Sequence, residues 1–518
     1  MFRKIILGSR GSELALWQAN FTKKKLEDLG YSAEILIIKT KGDQIQHLSF
    51  DKIEGKGFFT KELEDALLEG AIDLAVHSHK DLPTTFPTGL TIAAVSYRED
   101  CSESILINNN AIDENESFYL KKGAVVGTSS ARRKSQLLNL RPDLIIKDLR
   151  GNVPTRINKL RENLYDAIVL ASAGLNRLNI DLGDIYRYIV PPTTFIPAPA
   201  QGVLAFQIRE ADQEMNEIIQ KINDAAVAKS IAIERKVLNK MDGGCLLPLG
   251  VYCEFNDDKF KVWASLFQAE ENNFKRVYLE NNSAEVAVEN ILHSLLKQQN
   301  KTVYISREKE EAINFSNQLA GTGVKIITEA PIAFEAIDVD FIPFTDWIFF
   351  SSKTAVHYFF SQEIPYSAIS KFAAIGSSTA NALKALGLTP SFVGNDKDTK
   401  TTAQEFVSVC KGTSVLFPGA KNGIRSIQQE IGEQVEMHDV AVYETIQKSV
   451  SPGIEADIHV FTSPSAVNHF ISQCKFPIKK AVAIGETTAA SLRKNGITEI
   501  HVAPFTTEQA LADIVMGL

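Results

Sequence analysis

The sequence predicts an α/β protein made of several domains with largely parallel sheets. Short apolar runs such as KIILG, IDLAVHS, AVVGTSS and DAIVLAS alternate with stretches of helical spacing, and this alternation is typical of βαβ units. Helices are expected between these runs, at residues 13–29, 61–69 and 131–139. Because 518 residues exceed what one hydrophobic core can organise, we expect about three to five domains. Two similar blocks in the C-terminal part predict a duplicated domain there.

The composition is that of an ordinary globular protein. Hydrophobic residues make up 44% of the chain and charged residues 23%, with mean hydropathy -0.06 and net charge -8. No apolar run reaches the roughly 18 residues of a membrane span, and the first residues, MFRKIILG, do not have the pattern of a signal peptide. The 5 scattered cysteines form neither a disulfide framework nor a CxxC metal motif. We therefore expect a cytoplasmic monomer that binds neither membranes nor nucleic acid.

The first strand-like run is followed by a turn that carries Arg10 and Ser12. In GSRGSELALWQA, at 8–19, Glu13 stands in the first turn of the expected helix, where its charge suits the helix dipole. On its own this segment is an ordinary capped helix. The next element, EGKGFFTKELEDAL at 54–67, opens with a glycine-rich loop that is interpreted either as a mobile lid or as a plain loop.

Lys80 and Asp81 end the strand-like run in VHSHKDLP, at 76–83. In an open α/β sheet this edge is where ligands bind. A carboxylate fixed beside a cation stays ionised and can stabilise a developing positive charge. The alternative is an aspartate that caps a turn, next to a solvated lysine. His77 and His79 share one face of the strand and could suggest a metal, but no third ligand is apparent.

The most basic part of the chain runs from Gly127 to Arg156. It reads GTSSARRKSQLLNLRPDLIIKDLRGNVPTR and places several arginines in one βαβ-like unit, although the chain as a whole is acidic. Thr128, Ser129 and Ser130 stand where a helix would begin, so that hydroxyl and backbone N–H groups favour an anion there. Arginine adds a planar fork that binds carboxylate or phosphate through two hydrogen bonds. This stretch therefore predicts a site for a ligand with several negative charges.

Two segments rich in proline or glycine divide the rest of the N-terminal part. PPTTFIPAPAQG, at 191–202, cannot form a regular helix and suggests a crossover or hinge between domains. DGGCLLPLG, at 242–250, places Cys245 after two glycines that let the loop approach something closely. That cysteine is either a buried structural thiol or a point of covalent attachment. A polar stretch near residue 300, followed by a new strand, marks the main boundary.

The C-terminal part contains an internal repeat. The matching segments are FFSSKTAVHYF and VFTSPSAVNHF at 349–359 and 460–470, IGSSTANALKALG and IGETTAASLRKNG at 375–387 and 484–496, and TTAQEFV and TTEQALA at 401–407 and 506–512. Each copy has a Ser/Thr-rich turn between a strand and a helix. Two such domains with facing helix N-termini would form a cleft suited to a polyanion.

The order of these motifs along the chain resembles that of two known families. SRGSxLALWQA, GKGxFxKELExALL, DxAVHSxKDLP, GTSSxRRxxQL, LRGNVxTR and GGC follow one another as in porphobilinogen deaminase, also called hydroxymethylbilane synthase. Residues 1–299 resemble that family over essentially its full length, and residues 301–518 resemble uroporphyrinogen-III synthase through weaker motifs. The chain therefore resembles a fusion of two successive enzymes of tetrapyrrole synthesis.

The resemblance implies a fold for each half. The deaminase family has two periplasmic-binding-protein-like α/β domains and a small α+β domain, and the synthase family has two flavodoxin-like α/β domains. The implied domains are 1–99 with 200–219, then 100–199, then 220–300 with the cofactor cysteine, then 301–335 with 447–518, and finally 336–446.

The deaminase resemblance also implies a cofactor. In that family a dipyrromethane is attached through a thioether to the cysteine of the GGC motif, which is Cys245 here. Asp81 matches the catalytic carboxylate, which stabilises the cation left when porphobilinogen loses ammonia. Four additions and a hydrolysis would give hydroxymethylbilane, and no metal is implied. The positions that match the family's carboxylate-binding residues are Arg10, Ser12, Lys80, Thr128, Ser129, Ser130, Arg132, Arg133, Arg150, Arg156 and Arg177.

The synthase resemblance implies that hydroxymethylbilane is then closed, with inversion of ring D, to uroporphyrinogen III. Tyr443 matches the tyrosine most often placed near the leaving hydroxyl, and its alternative role is packing between the two domains. Backbone N–H groups at helix starts could hold the substrate's carboxylates. The helix-start positions are Ser352, Thr379, Ser463, Thr487 and Thr488.

Three residues depart from the deaminase pattern, and two rival interpretations remain open. Pro154 and Ala200 stand where glycine is more frequent, and His79 where an apolar residue is. A module that binds polyanionic solutes could share the fold of the first two domains, but it would need a secretion signal and would leave Cys245 without a role. The C-terminal part could also be a non-catalytic domain joined to an active deaminase.

Overall fold

The protein is described here by a computed structural model that covers residues 3–40, 60–241, 247–269, 273–394, 399–423, 425–451, 454–474 and 476–518. The chain divides into two compact units, which are Met1–Gln298 with Met516–Leu518, and Gln299–Val515. Cys245 and the first part of the glycine-rich loop at 54–67 lie outside the described residues. The finer domain boundaries inside each unit stay predictions.

Strands and helices alternate along most of unit 1. Its described strands are β1 (Lys4–Ser9), β2 (Ser32–Ile37), β3 (Leu74–Ser78), β4 (Leu90–Val95), β5 (Glu103–Asn108), β6 (Val125–Gly127), β7 (Ile145–Lys147), β8 (Ala167–Ala171), β9 (Ile185–Val190), β10 (Leu204–Arg209), β11 (Leu249–Asn256), β12 (Lys259–Gln268) and β13 (Asn273–Asn281). Its described helices are α1 (Glu13–Asp28), α2 (Lys61–Leu68), α3 (Ala131–Leu140), α4 (Val153–Arg161), α5 (Ser172–Leu178), α6 (Gln213–Gln220), α7 (Ala225–Lys240) and α8 (Ala284–Leu296).

Two five-stranded sheets of unit 1 have the same strand arrangement. The order is β2-β1-β3-β10-β4 in the first sheet and β7-β6-β8-β5-β9 in the second. In each sheet the first three strands are parallel, and the fourth runs antiparallel to both of its neighbours. Since β5 follows β4 and β10 follows β9, the antiparallel strand of each sheet comes directly after a strand of the other sheet. The chain therefore crosses between the two sheets twice.

Each of these sheets has its own hydrophobic core. Ile5, Leu74 and Phe206 are buried in the core of the first sheet, and Ile105 and Val169 in that of the second. The residues of β3 and β8 are buried almost without interruption, as expected for parallel strands covered on both faces. Removing a side chain as large as that of Phe206 from water stabilises the fold by roughly 1.5–3 kcal/mol.

The last part of unit 1 is a three-stranded antiparallel sheet, β11-β12-β13, against which α7 and α8 pack. Trp263 lies opposite Tyr252 and Tyr278 in the register, with ring centroids 5.7 Å and 4.7 Å away. Aromatic pairs across strands of this kind stabilise a small sheet. Asp224 caps α7 by accepting hydrogen bonds from backbone N–H groups of its first turn. The segment that carries Cys245 follows this helix in the sequence.

Unit 2 continues the alternation of strands and helices. Its described strands are β14 (Thr302–Ile305), β15 (Lys325–Thr328), β16 (Ile332–Ala336), β17 (Trp347–Phe350), β18 (Lys371–Ala374), β19 (Phe392–Val393), β20 (Ser414–Ala420), β21 (Glu436–Gln447), β22 (Ile458–Phe461), β23 (Ala481–Ala483) and β24 (Ile500–Val502). Its described helices are α9 (Ile313–Gln318), α10 (Lys353–Phe360), α11 (Ser377–Ala385), α12 (Thr399–Cys410), α13 (Ser426–Ile431), α14 (Pro464–Gln473), α15 (Glu486–Lys494) and α16 (Glu508–Gly517). Within the ranges covered, no helix of either unit has both the length and the apolar character to span a membrane.

Both sheets of unit 2 are built on parallel strands. The order β15-β14-β22-β23-β24 is parallel throughout and corresponds to 2-1-3-4-5, the flavodoxin-like order. The other sheet, β16-β21-β20-β17-β18-β19, has five parallel strands and an antiparallel edge strand, β16. Its strands β21-β20-β17-β18-β19 occupy the same relative positions as the five strands of the other sheet of unit 2. The chain passes through these positions in the same cyclic sequence but starts at a different strand. The predicted α/β class is confirmed.

Candidate active site

The predicted binding residues of unit 1 lie mainly where a parallel strand ends. Arg10 and Ser12 follow β1, and Lys80 and Asp81 form a short turn after β3. In the second sheet the corresponding positions follow β6, β7 and β8, and they are Thr128, Ser129, Ser130, Arg150 and Arg177. Ligands of open α/β sheets bind at this edge. The two sheets thus bring residues that are distant in sequence to equivalent positions.

The Thr-Ser-Ser turn is held together by its own hydroxyl groups. The Ser130 hydroxyl caps α3 by accepting a hydrogen bond from the Arg133 N–H at 3.4 Å. The Thr128 hydroxyl accepts one from the Ser130 N–H at 3.3 Å. The Ser129 hydroxyl donates to the Leu149 carbonyl at 3.1 Å and accepts from the Leu149 N–H at 3.0 Å. These bonds tie the start of α3 to the segment that carries Arg150.

Arg132 and Arg133 share one buried carboxylate, that of Glu103. Arg132 Nη2 donates to Glu103 Oε1 and Arg133 Nη2 donates to Glu103 Oε2, each at 2.7 Å. The Nη1 atoms donate to backbone carbonyls, Arg132 to Ile196 at 2.9 Å and Arg133 to Val169 at 3.0 Å. All three charged side chains are buried. The two arginines are therefore fixed before any ligand binds.

Glu103 was not predicted as a site residue. It is the first residue of β5, and an acidic residue at the start of an apolar run is usually solvated. Burial raises the pKa of Glu103, but the charges of Arg133, Arg132 and Lys80 outweigh burial and hold the pKa at about 2. The only hint in the sequence is that Glu103 interrupts an otherwise uncharged stretch, CSESILIN.

Lys80 lies close enough to Glu103, Arg132 and Arg133 for their charges to act on it. Its Nζ donates to Gln201 Oε1 at 3.3 Å, and Gln201 Nε2 donates to the Cys101 carbonyl at 2.9 Å. Burial lowers the pKa of Lys80 to about 8, with Arg133 and Arg132 adding to this effect and Asp81 and Glu103 opposing it. Lys80, Arg132, Arg133 and Arg156 are called the cation cluster below.

Asp81 is the exposed carboxylate beside this cluster. Its charge acts on Lys80 in the same turn and on Arg156 in α4. Burial lowers the pKa of Arg156 to about 10, with Arg133 adding to the effect and Asp81 opposing it. Arg156 Nε donates to the Gly151 carbonyl at 2.7 Å. The structure thus brings Asp81 from the first sheet next to cations of the second.

Arg177 in α5 is buried beside the end of the proline-rich segment 191–202. Its Nη2 donates to the Gly202 carbonyl at 2.7 Å, and its guanidinium lies 5.6 Å from the ring centroid of Trp17. The Nε atoms of Arg177 and Arg133 are buried and have no hydrogen-bond partner among the described residues. Gly202 has φ +89, and a Cβ there would lie 2.3 Å from the Glu99 carbonyl oxygen, so that only glycine fits.

His77 and His79 are buried in the fold beside this edge. His77 Nε2 lies 3.0 Å from Gln207 Oε1. Burial lowers the pKa of His77 to about 4 and that of His79 to about 3, with Arg10 and Arg235 contributing in the same direction. In the part of the chain that the structure describes, no group of three or more His, Cys, Asp and Glu residues is arranged to hold a metal.

The structure describes the local environment of the three residues that depart from the deaminase pattern. Ala200 adopts φ +65, a left-handed conformation that disfavours any residue except glycine by about 1–2 kcal/mol. Pro154 stands in the first turn of α4, where a missing N–H costs nothing. The Nδ1 atom of His79 is buried and has no hydrogen-bond partner among the described residues. None of the three removes a charged group from the site.

Unit 2 repeats one turn geometry in both of its sheets. Ser352 and Ser463 cap α10 and α14 with φ/ψ of -161/153 and -160/156. Their hydroxyls accept hydrogen bonds from the N–H groups of Ala355 at 3.0 Å and Ala466 at 3.2 Å. The predicted threonines lie in the first turns of α11 and α15, where Thr379 and Thr488 are buried and Thr487 is exposed.

Tyr443 on β21 is part of the core and also contacts one of these turns. Its ring stacks on Tyr358 at 5.3 Å and meets the edge of Phe334 at 5.4 Å. Burial raises the pKa of Tyr443, while a hydrogen bond with the Ser352 side chain opposes the rise. The structure therefore brings Tyr443 and Ser352 together, and packing accounts for the rest of the tyrosine's surroundings.

Three family models match the chain. Residues 5–217 match "Porphobilinogen deaminase, dipyromethane cofactor binding domain", and residues 228–297 match "Porphobilinogen deaminase, C-terminal domain". Residues 314–513 match "Uroporphyrinogen-III synthase HemD". The first two matches lie in unit 1 and the third lies in unit 2.

Individual relatives agree with the first two matches. The porphobilinogen deaminase of Bacillus mycoides is 40% identical over 314 residues, which are 60% of this chain and 99% of the relative. That of Nitratiruptor sp. is 47% identical over 249 residues, 48% of this chain and 78% of the relative. The uroporphyrinogen-III synthetase structure from Helicobacter pylori covers 42% of this chain and 97% of its own, at 20% identity and a TM-score of 0.31, a score too low to support a conclusion.

Proposed function

Because this chain belongs to the porphobilinogen deaminase family and carries a uroporphyrinogen-III synthase domain, we propose that it makes hydroxymethylbilane from four porphobilinogen molecules and then closes it to uroporphyrinogen III. The two families in one chain make it a bifunctional enzyme of tetrapyrrole synthesis. The observation that supports the first reaction best is the cation cluster beside the exposed Asp81.

The cation cluster would bind the acetate and propionate groups of the pyrroles. Each pyrrole carries two carboxylates, so a growing chain of pyrroles is a polyanion. The half-buried Lys80 and Arg156 would donate charge-assisted hydrogen bonds to these carboxylates, with the charge of Arg133 close by. Arg132 donates to Glu103 and Ile196, so its main contribution would be its charge.

The residues present fit a dipyrromethane cofactor, which Cys245 would hold through a thioether. When bound, this group supplies the pyrrole position to which each new substrate unit is added. The fit follows from charge, since Glu103 offsets only part of the positive charge of Lys80, Arg132 and Arg133. A ligand with several carboxylates would neutralise the remainder.

Asp81 would stabilise positive charge on the substrate. Its carboxylate can accept a hydrogen bond from the pyrrole N–H of porphobilinogen as ammonia leaves and the ring becomes cationic. Asp81 is suited to this contact because its side chain is exposed, whereas the neighbouring Lys80 and Arg156 are half-buried. The alternative, a carboxylate that only caps its turn, predicts little loss of activity when the charge is removed.

In unit 2 we assign to Tyr443 the departure of the hydroxyl group of hydroxymethylbilane. The support is that Tyr443 lies close enough to the helix-start residue Ser352 for that side chain to lower the pKa of Tyr443 against the effect of burial. Backbone N–H groups at the starts of α10, α11, α14 and α15 would hold the substrate's carboxylates, with Ser352, Thr379, Ser463, Thr487 and Thr488 at those turns. The competing hypothesis is that unit 2 is a non-catalytic domain.

One experiment tests both reactions. The full chain is incubated with porphobilinogen, and the uroporphyrin isomers are separated after oxidation. The type III isomer is expected. The type I isomer alone, which forms when hydroxymethylbilane closes without an enzyme, would show that unit 2 is inactive, and the absence of any product would reject the proposal as a whole.

The expected setting of the enzyme is the cytoplasm, where it would act as a monomer on small molecules. Its net charge of -8 disfavours binding to nucleic acid, in agreement with this assignment. Light scattering after size-exclusion chromatography should give the mass of one chain, 57.2 kDa, and twice that mass would contradict a monomer.

A further inference from the structure

We propose that Glu103 is a positioning residue for the deaminase reaction. Its carboxylate fixes Arg132 and Arg133, and with them the charged surroundings of Lys80, in the arrangement that receives the ligand's carboxylates. This inference rests on the proposed function of the cation cluster. Glu103 itself is 0% exposed and has no route to a ligand in solution, so it would act through the cations and not on the substrate.

The first argument is the geometry of the carboxylate. Both oxygens of Glu103 are used, one for each arginine, at 2.7 Å. Arg132 and Arg133 are neighbours at the start of α3, and like charges on adjacent residues would otherwise repel. With Nη1 and Nη2 engaged, each guanidinium has one orientation, and Arg133 Nε is left without a partner among the described residues. An orientation fixed in advance lowers the entropic cost of binding.

The second argument is the balance of charge. Arg132 and Arg133 are buried and Lys80 is half-buried close to them, and bringing like charges together out of water without an anion is strongly unfavourable. Glu103 supplies one negative charge between them, so they can be buried while net positive charge remains for a ligand.

The third argument is that Glu103 is itself held in place. The Ser172 hydroxyl lies 2.7 Å from that of Ser102 and 2.8 Å from that of Ser104, on either side of Glu103 in the sequence. Gln201 accepts from Lys80 and donates to the carbonyl of Cys101. These bonds link Lys80 in the first sheet to the strand of the second sheet that begins with Glu103.

A dependence on pH distinguishes this role from simple packing. The charges that act on Lys80 are those of Asp81 and Glu103, which raise its pKa, and those of Arg133 and Arg132, which lower it. Without the charge of Glu103 the pKa of Lys80 would fall below its present value of about 8. The protonated lysine, and the activity that needs it, would then be lost at a lower pH.

The test uses the full chain and the rate of hydroxymethylbilane formation as a function of pH. Glu103→Gln keeps the size of the side chain and removes its charge, so we expect kcat to fall by about 100-fold and the alkaline limb of kcat/KM to move to lower pH. Glu103→Asp keeps the charge but is too short to reach both arginines, so kcat should fall while the alkaline limb stays in place.

The matched control is Glu234→Gln, which removes another fully buried carboxylate, one that pairs with Arg98 instead of the cluster. The alkaline limb of kcat/KM in Glu234→Gln should stay at the pH of the wild type. A normal kcat in Glu103→Gln, or a low kcat with an unshifted limb, would overturn the inference. If Glu103→Gln does not fold, Glu103→Asp becomes the deciding variant. A wild-type kcat in Glu103→Asp would overturn the inference, and a lower kcat with unchanged thermal stability would support it. Inactivity of the unsubstituted chain would instead reject the proposed function.

Discussion

At the scale of single residues, Asp81 differs from the charged groups around it because its side chain is exposed while theirs are half-buried or buried. A buried charge is fixed by its partners, whereas an exposed one beside buried cations is available to a ligand. In the proposed reaction the cations would therefore orient the pyrroles, and Asp81 would stabilise the positive charge that develops on the substrate.

Asp81→Asn should therefore lower kcat by about 10²–10³-fold, the usual cost of removing one preorganised group that stabilises a transition state. Its Tm should stay close to that of the wild type because the side chain is exposed and asparagine has nearly the same shape. Steady-state kinetics and thermal unfolding of the same preparation provide the two measurements. A near-normal kcat would mean that Asp81 only stabilises its turn and has no part in the reaction.

Cys245→Ser should yield a chain without attached cofactor, since an alcohol does not replace the thiolate in forming the thioether. The intact mass of the purified variant should equal the mass calculated from its sequence, while the wild type should be heavier by the mass of a dipyrromethane. Cys474→Ser is the control, because Cys474 is a partly exposed thiol in unit 2. An equal mass excess in Cys245→Ser and the wild type would show that the cofactor is attached elsewhere.

Sequence reasoning predicted the basic residues of the candidate site and Asp81, but it did not predict the buried Glu103 that pairs with two of the arginines. Lys80, Asp81 and the arginines were predicted because they stand beside strand ends in recognisable motifs. Glu103 lies well before those arginines in the sequence, and only the pairing of β5 with β8 brings it beneath α3. A contact that depends on the order of strands in a sheet cannot be found from spacing along the chain.

At the scale of elements, helix α7 holds the segment that follows Asp81. Arg235 donates through Nη1 to the Leu82 carbonyl at 3.0 Å and through Nη2 to the Pro83 carbonyl, and Asn239 Nδ2 donates to the Thr84 carbonyl at 3.3 Å. The helix that precedes the predicted cofactor cysteine in the sequence thus also fixes the segment directly after Asp81.

Arg235→Lys should lower kcat by about 10- to 100-fold with a smaller change in KM, because one ammonium cannot replace a planar fork on two carbonyls and Asp81 would shift. Asn239→Ala is the matched control on the same helix, since it removes a single long hydrogen bond at 3.3 Å to an exposed site. Steady-state kinetics of both variants test this expectation. Equal effects of the two substitutions would contradict a specific role for the arginine fork.

The elements themselves were largely predictable, because caps and apolar periodicity are local. Helices expected at 13–29, 61–69 and 131–139 are found at Glu13–Asp28, Lys61–Leu68 and Ala131–Leu140. The direction of β5 and β10 was not predictable. An apolar run does not show whether a strand runs parallel or antiparallel to its neighbours, and here each pairs with strands far away in the sequence.

At the scale of the whole molecule, the two units have separate cores and separate buried histidines. In unit 2, His459 on β22 is 2% exposed, and neither ring nitrogen has a hydrogen-bond partner among the described residues. Burial lowers the pKa of His459 to about 4, so the ring stays neutral in the folded chain. Protonation of this ring in the unfolded chain therefore destabilises unit 2 increasingly as the pH falls from 6.5 towards 4, and has no such effect above pH 6.5.

His459→Leu should therefore raise the unfolding free energy of unit 2 by about 1–3 kcal/mol, by removing polar atoms without partners, and should weaken its acid sensitivity between pH 6.5 and 4. Calorimetry of the full chain across this range is the measurement. The transition of unit 1 serves as the internal control, because His77 and His79 keep it sensitive to acid. A loss of stability in unit 2 at neutral pH would mean that the imidazole has an undetected partner.

The two crossings between the sheets of unit 1 have a consequence for the order in which the protein can fold during synthesis. The strand that joins β3 to β4 in the first sheet is β10, at Leu204–Arg209, so a nascent chain lacks it until the second sheet has been made. The first 100 or so residues emerging from a ribosome would expose two open strand edges and bind chaperones, and release from them is expected only after translation passes Arg209.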